Sequence, residues 1–341
     1  MANIKNVAKA AGVSVSTVSR IINNSSLISA DTRDKVLKVM KEMNYVPNIM
    51  ARGLSNQQAF TVALLVNIDD RKSFDNPFFY EMMHGIETIV YKRGLCLIIA
   101  NLNTSQNKDD MLNRLIHEKR TQGVMLPSSI INPQLVKNLK GIRFPFVSIG
   151  EPEGIKEPID WVDINNFQGG RQAVDHLLAK GYRDIAFIGG SQRELFNKNR
   201  LLGYKAALAE SGINYRQEYV QEGSNTKSNG VEMMQKLLSL ATRPDAVICG
   251  DNILCMGAMK AIKDARLLIP DDIGVLSFDN FPVAELLEPP LTTIDIDVFE
   301  LGVQTANILF KLIDNPAARQ QQSLISTCIV ARESTMREFT S

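Results

Sequence analysis

The sequence predicts a small all-α helix-turn-helix head joined to an α/β body of two doubly wound lobes. Three observations carry this reading: two short amphipathic stretches flanking a glycine near the N-terminus, a later run of apolar segments alternating with helical periodicity, and an uneven division of charge. Of the 341 residues, the first 60 hold eight Lys or Arg against three Asp or Glu, a net of +5, and the remainder nets −4. The overall charge of +1 conceals that division. Positive charge gathered on a small helical unit points to double-stranded DNA as its partner.

The head begins with Ile4 to Asn23, IKNVAKAAGVSVSTVSRIIN. Val7, Ala8 and Ala11 form an apolar stripe on a first helix, and Val18, Ile21 and Ile22 form one on a second. Gly12 between them is free to adopt positive φ, and Ser14 is placed to cap the second helix with its side-chain oxygen. The outer face of the second helix then carries Val15, Ser16, Thr17, Ser19, Arg20 and Asn23, small, polar and cationic side chains suited to base edges in a major groove. With the capping Ser14 they form the candidate DNA-reading set. Residues 29–45 read as a third helix that closes a small core. It has a capping Ser29, Asp31 and Asp34 in its first turn, and Val36, Leu37, Val39, Met40 and Met43 on one face.

Val46 to Ser55, VPNIMARGLS, is too short to form a helix stable in isolation, although Pro47 can open one. Ala51 is small enough for two such segments to meet, Arg52 can reach a phosphate, and Leu54 is of the kind that unstacks bases. With IKNVAKAAGVSVSTVSRIIN and NYVPNIMARGL, followed in order by NFQGG, RLLGY, SFDN and PPLTT, the chain resembles the lactose and galactose repressor (LacI/GalR) family over essentially its whole length. The resemblance implies a hinge helix at 47–57 that pairs with its dimer mate in the minor groove. There Asn48, Ala51 and Arg52 contact DNA and Leu54 wedges into a base step. It also implies a periplasmic-binding-protein-like body crossed three times by the chain, a homodimer, and a sequence-specific transcriptional regulator, a repressor by expectation. Its operator affinity is then set by a small effector, a sugar or sugar derivative, bound between the lobes.

On this division residues 1–46 form the head and 58–341 the body. The first lobe takes about 60–160 and 291–322, the second about 161–290 and 323–341. Apolar runs TVALLVNI, GLCLIIANL, GVMLP and FPFVSIG alternate with helical patterns at 79–93, 109–118 and 133–139. VDI, IAFIGG, DAVICG and IGVLSF repeat the alternation with helices at 168–180, 200–211 and 253–265. Such units build parallel sheets whose strand ends bind ligands.

Candidate effector contacts follow those strands. Asn76, Phe78 and Phe79 come after the first run, where rings can stack on a sugar, although Phe79 can equally begin the core face of the next helix. Arg200 in NRLLGY matches a family arginine that clamps the effector; the alternative is an exposed ion pair. Asp279 in LSFDNF can accept two hydroxyl hydrogen bonds, or merely form a turn beside Asn280. Ser128, Asn225 and Asp251 occupy other loop positions implied by the resemblance, each of which can equally cap a helix. Asn165 in DINNFQGG stands where many members carry Asp. Trp161 is expected in the core or at a crossover.

Cys96, Cys249, Cys255 and Cys328 form no CxxC pair, and His84, His117 and His176 are scattered, so no disulfide framework, metal or other cofactor is expected. Neither an apolar signal core nor a membrane-length apolar run is present in the sequence, which places the chain in the cytoplasm, on the nucleoid. An enzyme, or an α/β sugar-binding protein carrying an accessory DNA-binding head, is the alternative reading. It lacks a GxGxxG fingerprint, a phosphate loop and a Ser, His and Asp set. A transport-type binding protein would need an export signal that Met1 to Ala11 does not supply. The chain closes on REFTS without a leucine heptad tail, so a dimer rather than a tetramer is expected.

Overall fold

The structure, a computed structural model, describes residues 3–22, 27–45, 59–66, 77–101 and 108–337. Asn23, Asn48, Ala51, Arg52, Leu54 and Asn76 lie outside the described residues, as does the whole of the expected hinge, 47–57.

The head packs α1 (Ile4–Ala11), α2 (Val15–Ile22) and α3 (Ala30–Glu42) around Val7, Ala8, Ala11, Val18, Ile21 and Val36. Gly12 adopts φ +65° and its N–H closes α1 on the Ala8 carbonyl, the left-handed ending that favours glycine. Ser14 Oγ accepts from Thr17 N at 3.1 Å, so α2 is capped as expected. Ser29 differs, because its hydroxyl pairs with Thr32 Oγ1 at 2.9 Å and caps no backbone N–H. Leu37 is exposed while Val36 is buried; neighbouring residues stand roughly 100° apart on a helix and cannot share one narrow face.

The body contains two six-stranded sheets. The first uses β1 (Thr61–Val66), β2 (Cys96–Asn101), β3 (Val124–Pro127), β4 (Phe146–Ile149), β5 (Trp161–Ile164) and β11 (Gln322–Ile325), in the order β11-β5-β4-β3-β1-β2, all parallel. The second uses β6 (Ile185–Gly189), β7 (Val220–Glu222), β8 (Ala246–Cys249), β9 (Gly274–Phe278), β10 (Thr292–Asp295) and β12 (Cys328–Val330), in the order β12-β10-β9-β8-β6-β7. Among the described residues only β12 runs antiparallel, against β10. Runs such as Val62 to Val66 and Ala246 to Cys249 are buried along their length, as strands covered on both faces must be.

The chain passes between the sheets three times, after Ile164, Asp295 and Ile325. These crossings fall a few residues away from the expected bounds at 160, 291 and 322. β5 pairs with β4 and β11 in the first sheet, and β10 pairs with β9 in the second, so ladder hydrogen bonds hold each strand in the lobe it is leaving. Trp161 opens β5 and is buried in the first lobe's core.

The covering helices are α4 (Pro77–Lys92), α5 (Lys108–His117), α6 (Pro133–Gly141), α7 (Asn166–Ala179), α8 (Leu195–Glu210), α9 (Lys227–Leu238), α10 (Asn252–Asp264), the short α11 (Val283–Leu286) and α12 (Val298–Asp314). Three pairs among them, α4–α12, α7–α8 and α9–α10, cross with their backbones nearly touching. A Cβ on Gly85 of α4 would lie 2.1 Å from the Phe299 carbonyl of α12, and one on Gly302 would lie 2.1 Å from the Met82 carbonyl. Gly170 of α7 stands in the same relation to the carbonyl of Arg200, and Gly203 of α8 to that of Phe167. Among the described residues no helix is long and apolar enough to cross a membrane.

Gly85→Ala should therefore force α4 and α12 apart and cost about 1–3 kcal/mol, as overpacking does. Gly141→Ala, where a Cβ meets nothing within 4 Å, is the control and should melt with the parent. Equal melting of both variants would show that the α4–α12 crossing has slack.

Candidate functional site

On α2 the buried side is Val18 and Ile21, which leaves Val15, 41% exposed, with Ser16 and Arg20 on the opposite face. Thr17 and Ser19 are half-buried. Ser14 Oγ lies 2.7 Å from Ser16 Oγ and 2.8 Å from Thr17 Oγ1, so a short hydroxyl network is anchored at the start of the helix. This network rigidifies the end from which a recognition helix meets DNA.

In the body, the loops that leave the C-terminal ends of the strands bring polar residues together around one buried cation. Arg200 is 5% exposed and lies in the second turn of α8. That helix starts at Leu195, earlier than the expected 200; Leu195 to Asn199 reads LFNKN, with no apolar period to mark it, although Asn197 is buried. Arg200 Nε donates to Asn166 Oδ1 at 2.9 Å, and Nη1 donates to the Gly250 carbonyl. Nη2 stands 3.7 Å from Asp279 Oδ1, and the guanidinium lies 4.0 Å from the centre of the Phe278 ring and 5.4 Å from that of Phe196. The exposed ion pair considered for Arg200 is thus a buried one.

Asp279 follows β9 with φ +74°, a conformation that short polar residues tolerate better than most. Its backbone N–H reaches Ile294 O at 3.0 Å, and its carbonyl accepts from Asn252 Nδ2 at 2.8 Å. Its Oδ1 is buried and takes no hydrogen bond from any described residue, and the same holds for Oδ1 of Asn252, a residue 5% exposed. Two buried acceptors in one polar cluster therefore lack a donor within hydrogen-bond reach, an arrangement costly unless function requires it.

Burial pushes Asp279 up to about 6, with the charge of Arg200 opposing the rise and that of Asp251 adding to it. Burial likewise raises Asp163 and Asp251, each partly held down by backbone hydrogen bonds and by Arg200. Asp163 closes on β5 of the first sheet, so its field couples with a cation of the second lobe. Across the same gap Lys198 of α8 pairs with Glu153, from the loop after β4, at 3.2 Å.

The other expected contacts divide. Asn165 and Asp251 are helix caps: Asn165 Oδ1 accepts from Gln168 N at 3.0 Å, and Asp251 Oδ1 from Leu254 N at 2.8 Å. Each still borders the cluster through its neighbour, Asn166 or Asn252. Ser128 is half-buried, facing Gly150, where a Cβ would come within 2.7 Å of its hydroxyl. Asn225 is exposed and lies over Gly190 near Asn197. Phe78 and Phe79 are half-buried in the first turn of α4 and pack on the core cluster. Sequence reasoning missed Asn166, Asn252, Asn197 and Asp163. Their signal was weak: two asparagines sit one place beyond residues that were singled out, and only burial tells the neighbours apart.

Comparison with known proteins agrees with this geometry. Residues 3–48 match the bacterial regulatory proteins of the lacI family, and residues 174–335 match the periplasmic binding protein-like domain. The HTH-type transcriptional regulator CelR of Thermobifida fusca is 33% identical over 96% of this chain and 96% of its own length. The HTH-type transcriptional repressor PurR of Histophilus somni (strain 2336) is 31% identical over 98% and 99%. A solved transcriptional regulator CelR–cellobiose complex superposes with a TM-score of 0.74 at 32% identity, covering 98% of this chain and 100% of that one. The lac repressor dimer bound to operator and the anti-inducer ONPF shares the fold, with a TM-score of 0.83 at 24% identity and coverage of 98% and 99%. With a DNA-binding head, a two-lobed body and relatives aligned over nearly their full length, the chain belongs to the lacI family of bacterial regulatory proteins.

Proposed function

We propose that this regulator is a homodimeric repressor whose operator affinity is set by a sugar or sugar derivative held between its lobes. The observation that carries the ligand reading is the pair of unsatisfied buried acceptors, Asp279 Oδ1 and Asn252 Oδ1, beside an immobilised Arg200. Hydroxyl groups of a polyol supply the donors that those oxygens lack, and the free N–H groups of Arg200 supply donors to the polyol. The known complex of a relative with cellobiose makes neutral mono- and disaccharides, cellobiose among them, the first probes. Phe78 is proposed to stack on the ligand, with Phe79, Ser128, Asn165, Asn225 and Asp251 at its margins and Asn76 from the segment outside the described residues.

The proposed head ends near residue 46 and the hinge spans 47–57. Val15, Ser16, Ser19, Arg20 and Asn23 read bases, with Arg20 paired to a guanine. Ser14 and Thr17 secure the helix, Asn48, Ala51 and Arg52 follow the minor groove, and Leu54 unstacks one step. A ligand that binds one arrangement of the lobes better than another shifts the spacing of the paired hinges, and operator affinity changes by the same factor as ligand affinity. We place the protein in the cytoplasm, as a regulator rather than an enzyme; its named relatives are a transcriptional regulator and a transcriptional repressor.

The panel of neutral sugars tests the reading: at least one should raise the melting temperature and alter operator affinity, and a panel active in neither assay would contradict it. Because ionised Asp279 accepts hydroxyls on both oxygens and more strongly than the protonated acid does, ligand affinity should fall as pH drops through about 6. In the ligand-free protein the sign is opposite. A raised carboxylate stabilises the fold when protonated, and that contribution is lost as pH rises from ~3.8 through its folded value near 6. Asp279→Asn should therefore melt above the parent at about pH 7.5, lose that advantage at about pH 4, and fail to respond to ligand. A melting difference independent of pH would remove Asp279 from this role.

Leu54→Ala separates a hinge from a passive linker. Unstacking costs a few kcal/mol, offset only where the bend brings both heads into register. The variant should lose operator affinity and operator bending while its binding to random DNA, and the salt slope of that binding, stay near the parent's. Unchanged operator affinity and bend would leave specificity to α2 alone.

A further inference from the structure

The charges that surround Arg200 define more than a place for hydroxyl groups. Three carboxylates, Asp163, Asp251 and Asp279, lie within the field of this one cation, and each is half-buried or better. With all three ionised the group nets −2. Other cations of the region do not redress the balance: Lys198 is paired with Glu153 at 3.2 Å, and Glu151 sits beside Asp163, to which its N–H donates at 3.0 Å.

Arg200 itself is largely committed. Nε and Nη1 are donated to Asn166 and Gly250, Nη2 faces Asp279, and the guanidinium plane lies against Phe278. A phosphate needs a bidentate cation or a nest of N–H groups free of competing anions. Here Asp251 Oδ1 already occupies the N–H of Leu254 at the start of α10, and Asn165 Oδ1 that of Gln168 at the start of α7. These two helix starts are taken by side chains of the protein, and the start of α8, which carries no side-chain cap, bears the acidic Glu194. The two orphan atoms, on Asn252 and Asp279, are both acceptors, so they call for donors and repel further acceptors.

We infer that the cleft selects an unphosphorylated polyol, neutral or amine-bearing, that presents two donors to Asn252 and Asp279, and that it rejects sugar phosphates and nucleotides by charge. This rests on the reading of the cleft as the effector site and narrows that site to one ligand class.

The test compares each neutral sugar of the panel with its amino and phosphorylated counterparts, for example glucose, glucosamine and glucose 6-phosphate. Binding is followed by calorimetry and by operator release on the full-length dimer. Neutral or amino members should bind, and their phosphorylated counterparts should be weaker by about a hundredfold or not bind at all. Asp163→Asn, which removes one negative charge without touching the orphan acceptors, should narrow that discrimination by about tenfold. Melting of the variant close to the parent's confirms that it is folded, and Asp163→Ser serves as the second replacement if it is not. A phosphorylated probe that binds as well as its neutral parent overturns the charge inference while leaving the cleft reading intact. Discrimination unmoved in folded Asp163 variants overturns it too, since shape rather than charge would then be responsible. Silence from every neutral and amino member also contradicts the inference, and if operator binding responds to no probe of any class, the effector reading falls with it.

Discussion

The body depends on one buried cation. Placing Arg200 among packed side chains costs several kcal/mol in lost hydration, which only good geometry and additional hydrogen bonds can offset. It finds these in Asn166 at the start of α7, Gly250 after β8 and Asp279 after β9, with Phe278 across its face. Three chain segments that are distant in sequence are thereby tied to one planar group. The anchor is positioned from behind as well, because the carbonyl of Arg200 itself abuts Gly170 where α7 crosses α8. A side chain at Gly170 would move the cation before it reached any ligand.

The offset is incomplete, and under the proposed reading the remainder is where ligand binding gains its free energy. Asp279 is held in a left-handed conformation, its carboxyl is raised by burial, and one of its oxygens takes no hydrogen bond from the described residues. Strain and unsatisfied polarity of this kind persist where they serve a site. The direct ion pair between the lobes, Lys198 with Glu153, is half-exposed and contributes at most ~1 kcal/mol, too little to lock the lobes together. A ligand that satisfies acceptors on the second lobe while touching the first can therefore outweigh it.

Much of this was legible in the sequence, for reasons that also explain what was not. Parallel strands buried on both faces read as unbroken apolar runs, so β1, β3, β6, β8 and β9 were found close to their true limits. Gly12 and Ser14 act through local backbone geometry, which neighbouring residues disclose. The start of α8 was missed because Phe196, Asn197 and Arg200 turn polar or aromatic groups inward toward the cluster, which erases the amphipathic period. β7 spans only three residues and has no apolar run to mark it. At the site, Asn165 and Asp251 were chosen where the fold uses Asn166 and Asn252 beside Arg200 and Asp279. A helix cap and a member of the cluster can be adjacent polar residues, and only the direction of the side chain separates them.

The most direct measurement is a closed thermodynamic cycle on the full-length dimer, with the affinity of a cleft-binding sugar measured free and operator-bound, and operator affinity measured with and without that sugar. Coupling through the cleft predicts two equal ratios that differ from one by a factor of roughly 5 to 150, and that collapse to one in Asp279→Ala. Ratios of one in the parent protein, or a ratio that survives in that variant, would show that the Arg200 cluster does not control DNA binding.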